Sequence, residues 1–559
     1  MTDRSIHRLL WIRPLSKLLL LMTILVNFGM AVAAANLTQG METAQEFGVH
    51  EIVLTGQGSA RNPFDTAATV TFTDAVGQKV TVNAFYDGSN TWRARLYVDR
   101  PGLWSWQSRS PTNSGLNAKS GRFTAVVSKL RGMLREDPAN HKQWATDDGR
   151  WFLNLNDTAY RFFNRGATQW QPYADSLIAK GLTSLRAGAL GGINWGKNAS
   201  GSTFQSNNPW VDERDYSRID LAKFQTTDSR LTWLLNNRPD FYIQMILFGL
   251  KQYGSDATGQ AWAAVPQAQR TQLLQYMVAR WAAFPQIYWL IINDANYGSS
   301  FPKNNAMAQE IGTYFLKNDP WQHPLSTGRT RNQPFPFPTA PWASYFHLEG
   351  AYALGADEIN AYRNYPAHVF YGEDQYERSE NGKAPANPQY FYRWLFWSWL
   401  FAGGSANYGG PGIQRDSITP YSQVNPPLVG LNSIPYIKRF LESRNLALSD
   451  FTPADTKVTD LDGRSGRLRP KLMLQRAPRP AYLVYHPNAR SSGQGAQVNS
   501  DLTAQMRVDL TSTPGTFAVE WYRAQDGAAL SQGTVKGGQS VQLTAPWKGV
   551  DVVLYLRAE

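Results

Sequence analysis

The sequence predicts an α/β protein: a (β/α)8 barrel flanked by an N-terminal and a C-terminal β-sandwich. Three observations carry that prediction. Between about 133 and 445, short apolar runs alternate with longer stretches of helical texture, as repeated βα units do. On either side the chain changes to short alternating runs broken by Gly, Asp and Asn, the pattern of antiparallel sheets. Two apolar runs, IYWLII and AHVFY, are each followed within a few residues by a carboxylate, Asp294 and Glu373. Barrel strands present functional groups in this way at their C-terminal rim.

Taken in chain order, residues 1–35 read as an export signal. Arg4, Arg8, Arg13 and Lys17 precede the apolar run from Leu18 to Val26, and Ala31-Val32-Ala33 supplies the small residues of a cleavage site. The stretch from Leu18 to Ala35 is near the lower length for a membrane span, but Asn27 and the alanine-rich end favour cleavage. No later stretch is long and apolar enough to span a bilayer, so a periplasmic or secreted protein is expected, with no membrane partner after cleavage. Residues 36–128 form the first sandwich, on the alternation of ATVTFTDAVGQKVTVNAFYDGSNTWRARLYVDR. The Pro- and charge-rich KLRGMLREDPANHKQW reads as a linker into the barrel, assigned to 129–445.

Eight strands are expected there: WFLNL at 151, LTSLR at 182, FYIQMILF at 241, IYWLII at 287, LSTG at 325, WASYFH at 342, AHVFY at 367, and a short run leading to SANYGG. Helical stretches fit between them. In QAQRTQLLQYMVARWAAF, for example, Leu273, Leu274, Met277, Val278 and Trp281 recur at helical spacing. On this count Asp294 follows the fourth strand and Glu373 the seventh. From 446 to 559, AYLVYHPNA, TFAVEWYRAQDGAAL, SVQLTAPW and VDVVLYLRAE make the second sandwich. Both sandwiches read as spacers.

Composition narrows the chemistry. Without a cysteine there is no disulfide framework, thiolate metal site or cysteine nucleophile. Residues 1–35 hold four basic and one acidic residue, which leaves +9 of the formal +12 for the mature chain. That charge suits an anionic polysaccharide or cell envelope, but it is scattered, so nucleic acid is not an expected partner. The 20 Trp and 26 Tyr are numerous enough to supply sugar-stacking faces besides filling the core. Seven scattered histidines without an HExxH pattern give no support for a metal, and no cofactor is expected. GGINWGKN nearly matches a phosphate loop but has Asn198 where Ser or Thr would bind magnesium, and GGSAN at Gly403 lacks the final Gly of a nucleophile elbow.

Two carboxylates facing one cleft suit glycosidic bond cleavage, in which one protonates the leaving oxygen and the other attacks, or activates water, from the opposite face. The competing readings are an Asx-type turn at Asp294, within Asn293, Asp294, Asn296 and Gly298, and an ion pair at Glu373, beside Asp374, Glu377 and Arg378. An acid after strand four and a nucleophile after strand seven resemble clan A glycoside hydrolases, in which an Asn commonly precedes the acid/base residue, as Asn293 does here. The chain departs from that clan in having Asp294 where Glu is usual. WFLNLNDTAYRFFNR, HPLSTG, YGEDQYE and RWLFWSWLFAGGSANYGG are similar to the apiosidase-like family, in that order along some 500 residues. That resemblance implies Asp294 as acid/base, Glu373 as nucleophile, and a polysaccharide or oligosaccharide substrate with a glycosidic, including furanosidic, bond.

Further barrel residues are candidates for binding substrate. Asp157 can take sugar hydroxyls or cap a helix, and Arg186 can hold a carboxylate ionised or form a floor ion pair. His347 and Glu349 follow the sixth strand, Glu349 being the reserve carboxylate. Tyr297 and Trp289 are expected to wall Asp294 and raise its pKa, while Tyr376 and Tyr408 are expected sugar platforms. A different class remains open: a non-catalytic carbohydrate-binding or exopolysaccharide-assembly protein on a hydrolase-like barrel.

Overall fold

The computed structural model describes residues 42–57, 62–192, 207–212, 215–350, 354–373, 376–378, 384–410 and 418–559. The expected export signal and most of GGINWGKN lie outside them. Among the described residues, no helix is long and apolar enough to cross a membrane.

The centre is built of eight parallel strands: β1 (Leu155–Thr158), β2 (Ser184–Gly188), β3 (Tyr242–Phe248), β4 (Ile287–Ile292), β5 (Leu325–Ser326), β6 (Tyr345–Glu349), β7 (His368–Glu373) and β8 (Ser405–Tyr408). They pair in the order β5-β4-β3-β2-β1-β8-β7-β6. Between β5 and β6 the Ser344 N–H donates to Leu325 O at 3.0 Å and the His347 N–H to Ser326 Oγ at 3.3 Å, so the barrel is nearly closed. The eight strands follow in the expected number and order, and β4 matches residue for residue. The first begins four residues later than expected, because Trp151 bridges back to Ala145 instead.

β3 and β4 are buried at every position, since one face meets the barrel interior and the other the surrounding helices. Those helices are α1 (Trp170–Ala179), α2 (Leu221–Asn237), α3 (Ala257–Ala264), α4 (Gln267–Trp281), α5 (Pro302–Asn318), α6 (Pro388–Phe401) and α7 (Pro435–Ser443). Along α6 every residue from Tyr390 to Phe401 is buried. A helix buried all round must be covered on all sides. Trp399 stacks on Tyr371 of β7 at 5.0 Å, while Trp397 faces Tyr485, outside the barrel, at 6.0 Å.

The segment expected to be a linker is a structural part of the barrel. Strands Leu134–Asp137 and Asn140–Thr146 pair as a hairpin that inserts Trp144 under the N-terminal ends of the strands. Its ring meets Tyr288 at 5.3 Å, Tyr345 at 5.4 Å and His368 at 4.3 Å. With Leu134, Phe152, Tyr242 and Phe370 it closes the floor.

The N-terminal region packs a five-stranded sheet (42–45, 120–126, 102–109, 69–73, 79–83) against a three-stranded one (49–55, 91–97, 85–88). In the C-terminal region six-stranded and three-stranded sheets share a core around Trp521. Neither is merely tethered to the barrel. Arg95 reaches Asp228 of α2 at 2.7 Å, Asp87 holds Arg280 of α4 at 2.7 Å, and Arg393 of α6 pairs with fully buried Asp551 at 2.7 Å. Removing one partner of a buried pair costs about 3–5 kcal/mol, so these seams are part of the fold and the spacer reading is too weak.

Candidate active site

The C-terminal ends of the strands assemble a charged cluster around Glu373. Its position depends on a break in strand alternation. On β7 Val369 and Tyr371 face the helices, and strict alternation would turn Glu373 the same way. β6 and β7 pair as His347 with Phe370 and Leu348 with Tyr371, but then Glu349 pairs with Glu373, skipping Gly372. A bulge of this kind re-aims the following side chain. Here it turns Glu373 inward. Glycine is required at 372, because a Cβ there would lie 1.9 Å from His347 Cε1.

Inside the barrel Glu373 is held on both oxygens. Arg186 Nη2 donates to Oε2 at 2.9 Å, and Oε1 accepts the hydroxyls of Tyr160 and, at 2.6 Å, Tyr376. Burial by itself would raise the pKa of Glu373. The Arg186 charge and the bonds from Tyr160, Tyr376 and Arg186 outweigh it, so the carboxyl titrates below its usual 4.5. The guanidinium is completely buried and its other donors are fixed: Nε to Gln244 Oε1 at 2.9 Å, Nη1 to Thr158 Oγ1 at 3.1 Å, and Nη2 also to Asn293 Oδ1 at 2.7 Å. The loop carrying Tyr376 is anchored by Glu377, whose carboxylate accepts the Val429 and Gly430 N–H groups at 2.8 and 2.9 Å and the Tyr408 hydroxyl.

Asp294 follows β4, half-buried, with a left-handed φ of 54° that Asp tolerates better than most residues. Asn293 Nδ2 donates to its Oδ2 at 2.9 Å, which links Asp294 through Asn293 and Arg186 to Glu373. Its charge also reaches Tyr160 and helps raise that hydroxyl's pKa, behind burial and the charge of Glu373. Beside it lies a cavity of about 570 Å³ lined in part by Asn296, Tyr297, Phe301, Arg329 and Phe337. A larger cavity, about 1000 Å³, lies at the other end of the barrel, between the floor hairpin and the C-terminal region, and includes none of these groups.

His347, Glu349 and Glu373 each offer a ligand atom within 4.8 Å of the others. They do not fit a divalent cation. Both oxygens of Glu373 are engaged by donors, and His347 lies in the field of Arg186 and Arg329. Burial and then those two charges push its pKa well below 6.5, so the ring is neutral.

Of the residues picked from sequence, the structure brings Arg186, Asn293, Asp294, His347, Glu349, Glu373 and Tyr376 together. Tyr297 lines the adjoining cavity and bonds Thr327 Oγ1 at 2.6 Å. Asp157 is elsewhere. It shares strand parity with Leu155 and faces outward, accepting the hydroxyls of Tyr173 at 2.7 Å and Tyr421 at 3.2 Å and the Gly410 N–H at 3.0 Å. Burial lifts its pKa to about 7 against those donors. Tyr408 also faces outward, onto Tyr392 and Glu377, in place of a sugar platform. Trp289 is no wall to Asp294, since its ring packs on Phe315 of α5 and its Nε1 donates to Asp319. Sequence reasoning missed Tyr160 and Gln244. Tyr160, two residues past β1, resembles the core aromatics around it, and Gln244 lies inside an apolar strand where its side chain signals nothing.

The family model described as apiosidase-like, catalytic domain, matches residues 138–446, and one described as a domain of unknown function (DUF5060) matches residues 43–111. Among solved structures, a Bacteroides vulgatus protein described as a glycoside hydrolase is similar at TM-score 0.69 and 18% identity, with 93% of this chain and 100% of that one covered. A glycoside hydrolase family 5 protein from the same organism is similar at TM-score 0.57 and 16% identity, covering 77% of this chain and 94% of that one. At these identities the likeness shows the fold. The comparison with curated proteins gives no match.

Proposed function

The chain belongs to the apiosidase-like family, whose catalytic-domain model spans more than half of it, and on that premise we propose an exported retaining glycoside hydrolase acting on a bacterial or plant polysaccharide. Glu373 is the nucleophile. It attacks the anomeric carbon while Asp294 protonates the departing oxygen. Water activated by Asp294 then releases the sugar and restores both groups. The cavity beside Asp294 receives the leaving group. A furanosidic bond is the expected linkage, following the family.

The observation that carries this reading is the state of Glu373. A completely buried carboxylate ordinarily takes up a proton, but this one is kept ionised by Arg186 and two tyrosine hydroxyls at the end of β7. Ionisation is what a nucleophile needs and what a surface ion pair would not require burial to achieve. The test is a screen of the purified protein against bacterial and plant polysaccharides and aryl glycosides, repeated with Glu373→Gln. Loss of turnover by about 10³-fold or more, with thermal unfolding unchanged in form, is expected. Turnover at the wild-type rate in the variant would remove Glu373 from the mechanism.

A further inference from the structure

We propose that His347 and Glu349 form a donor–acceptor pair for one hydroxyl of the sugar bonded at Glu373, with His347 locked as its Nε2–H tautomer. The inference rests on the glycosidase reading for its substrate, but its structural half stands alone. The tautomer follows from a chain of donors with one consistent direction. Arg186 has no acceptor, so its Nε bond to Gln244 at 2.9 Å fixes that amide with Oε1 toward the arginine. Gln244 Nε2 is then a donor. It donates to the Tyr345 hydroxyl at 2.8 Å, which passes its own proton to Trp289 O at 2.8 Å, and it lies 3.3 Å from His347 Nδ1. Nδ1 must therefore accept, which puts the ring proton on Nε2.

Among the described residues that Nε2 is buried without a hydrogen-bond partner, 3.4 Å from Glu349 Oε1. An unmade bond at a fully buried donor costs about 1–3 kcal/mol, and the ring has little room to turn away. Gly372 lies directly against it, Phe370 meets it edge-on at 5.5 Å, and Gln244 holds Nδ1. A sugar hydroxyl accepts one hydrogen bond and donates another, which matches an N–H beside a carboxylate. The location agrees. Ligand atoms of His347, Glu349 and Glu373 lie within 4.8 Å of one another, so a ring in contact with Glu373 has its neighbouring hydroxyls against this pair. Neutral His347 gives the pair a donor without a further buried charge.

The first arm of the test is nitrogen-15 NMR of histidine-labelled full-length protein, with the His347 signals identified by their loss in His347→Gln. A protonated Nε2 and a bare Nδ1 are expected. A protonated Nδ1 overturns the inference, whether or not any glycoside is turned over. The second arm uses the aryl glycoside that the wild type cleaves best and its monodeoxy analogues. His347→Leu, which fills the space without a donor, should lower kcat/KM by about 10- to 100-fold, and His347→Gln should recover part of that loss. One deoxy analogue should be penalised by the wild type and not further by His347→Leu. Equal losses in the Leu and Gln variants, with every deoxy analogue penalised alike in both proteins, would reduce His347 to packing and overturn the proposal. A wild type that cleaves no glycoside, with the expected tautomer present, would overturn the hydrolase reading and the sugar assignment together and leave the tautomer established.

Discussion

The floor and the mouth of this barrel are made by the same strands a few residues apart, and they solve opposite problems. At the floor, Trp144, Tyr242, Tyr288, Tyr345 and Phe370 pack ring against ring, and the polar groups among them are neutral. Asn156 donates to Ser184 Oγ at 2.7 Å, and His368 sits between Ser405 Oγ at 2.7 Å and Lys142 O at 2.9 Å. Four residues further along β6, and three along β7, stand Glu349 and Glu373, almost completely buried, with Glu373 ionised against Arg186. The difference teaches where each free-energy cost is placed. The floor buries rings that are favourable to bury, whereas the mouth keeps ions out of water by surrounding them with one another.

The comparison can be broken from either end. Arg186→Met should have the largest effect, because it leaves Glu373 buried and unpaired. A loss of about 3–5 kcal/mol in denaturant-measured stability near neutral pH is expected, with the acid limb of kcat/KM moving above 4.5 as the carboxyl loses the charge that holds it ionised. An unmoved limb would mean that the tyrosines alone hold Glu373. At the floor, Trp144→Ala should cost about 3–5 kcal/mol of stability and less than about tenfold in kcat/KM at temperatures where the variant is folded. A larger catalytic loss would mean that the floor positions the mouth.

A smaller effect separates the two ends by pH. Burial lowers the pKa of His368 from 6.5 to about 4. Below 6.5 the unfolded chain takes up that proton first, so the His368 share of stability falls between pH 6.5 and 4, by about 3 kcal/mol at most, while His347 adds to that fall and Asp157, raised to about 7, opposes it. The lowered carboxyl at the mouth has a different window. Glu373 stabilises the fold fully above 4.5, and its share is lost as pH falls through its lower folded value. The stability difference between wild type and His368→Gln should therefore shrink as pH falls from 6.5 to 4. Unfolding of both proteins measured from pH 7 to 3 reads this, and a difference that stays constant between 6.5 and 4.5 would contradict the assignment at the floor.

Much of this was legible in the sequence, where the signal was periodic. The eight strands and the carboxylates at the ends of the fourth and seventh follow from apolar runs and what succeeds them. The outward turn of Asp157 was also readable, since it shares parity with Leu155 in a strand of four. What stayed hidden depends on contacts distant in sequence. KLRGMLREDPANHKQW is polar on average, yet Leu134 within it and Trp144, at the hairpin's return strand, are the residues that close the floor. Strand alternation predicts the wrong face for Glu373, and the glycine before it was the local sign of a bulge. Tyr160 and Gln244 acquire meaning only when β1, β3, β6 and β7 come together.

The most direct measurement traps the covalent intermediate. The protein is incubated with a 2-deoxy-2-fluoro glycoside of the sugar it cleaves, bearing a good leaving group, and the labelled peptide is mapped by mass spectrometry. The fluorine slows the second step more than the good leaving group slows the first, so the glycosyl-enzyme accumulates. The account predicts one sugar per chain, esterified to Glu373, formed much more slowly by Arg186→Met. A label on Asp294 or Glu349, or turnover with inverted product and no label at all, would contradict it.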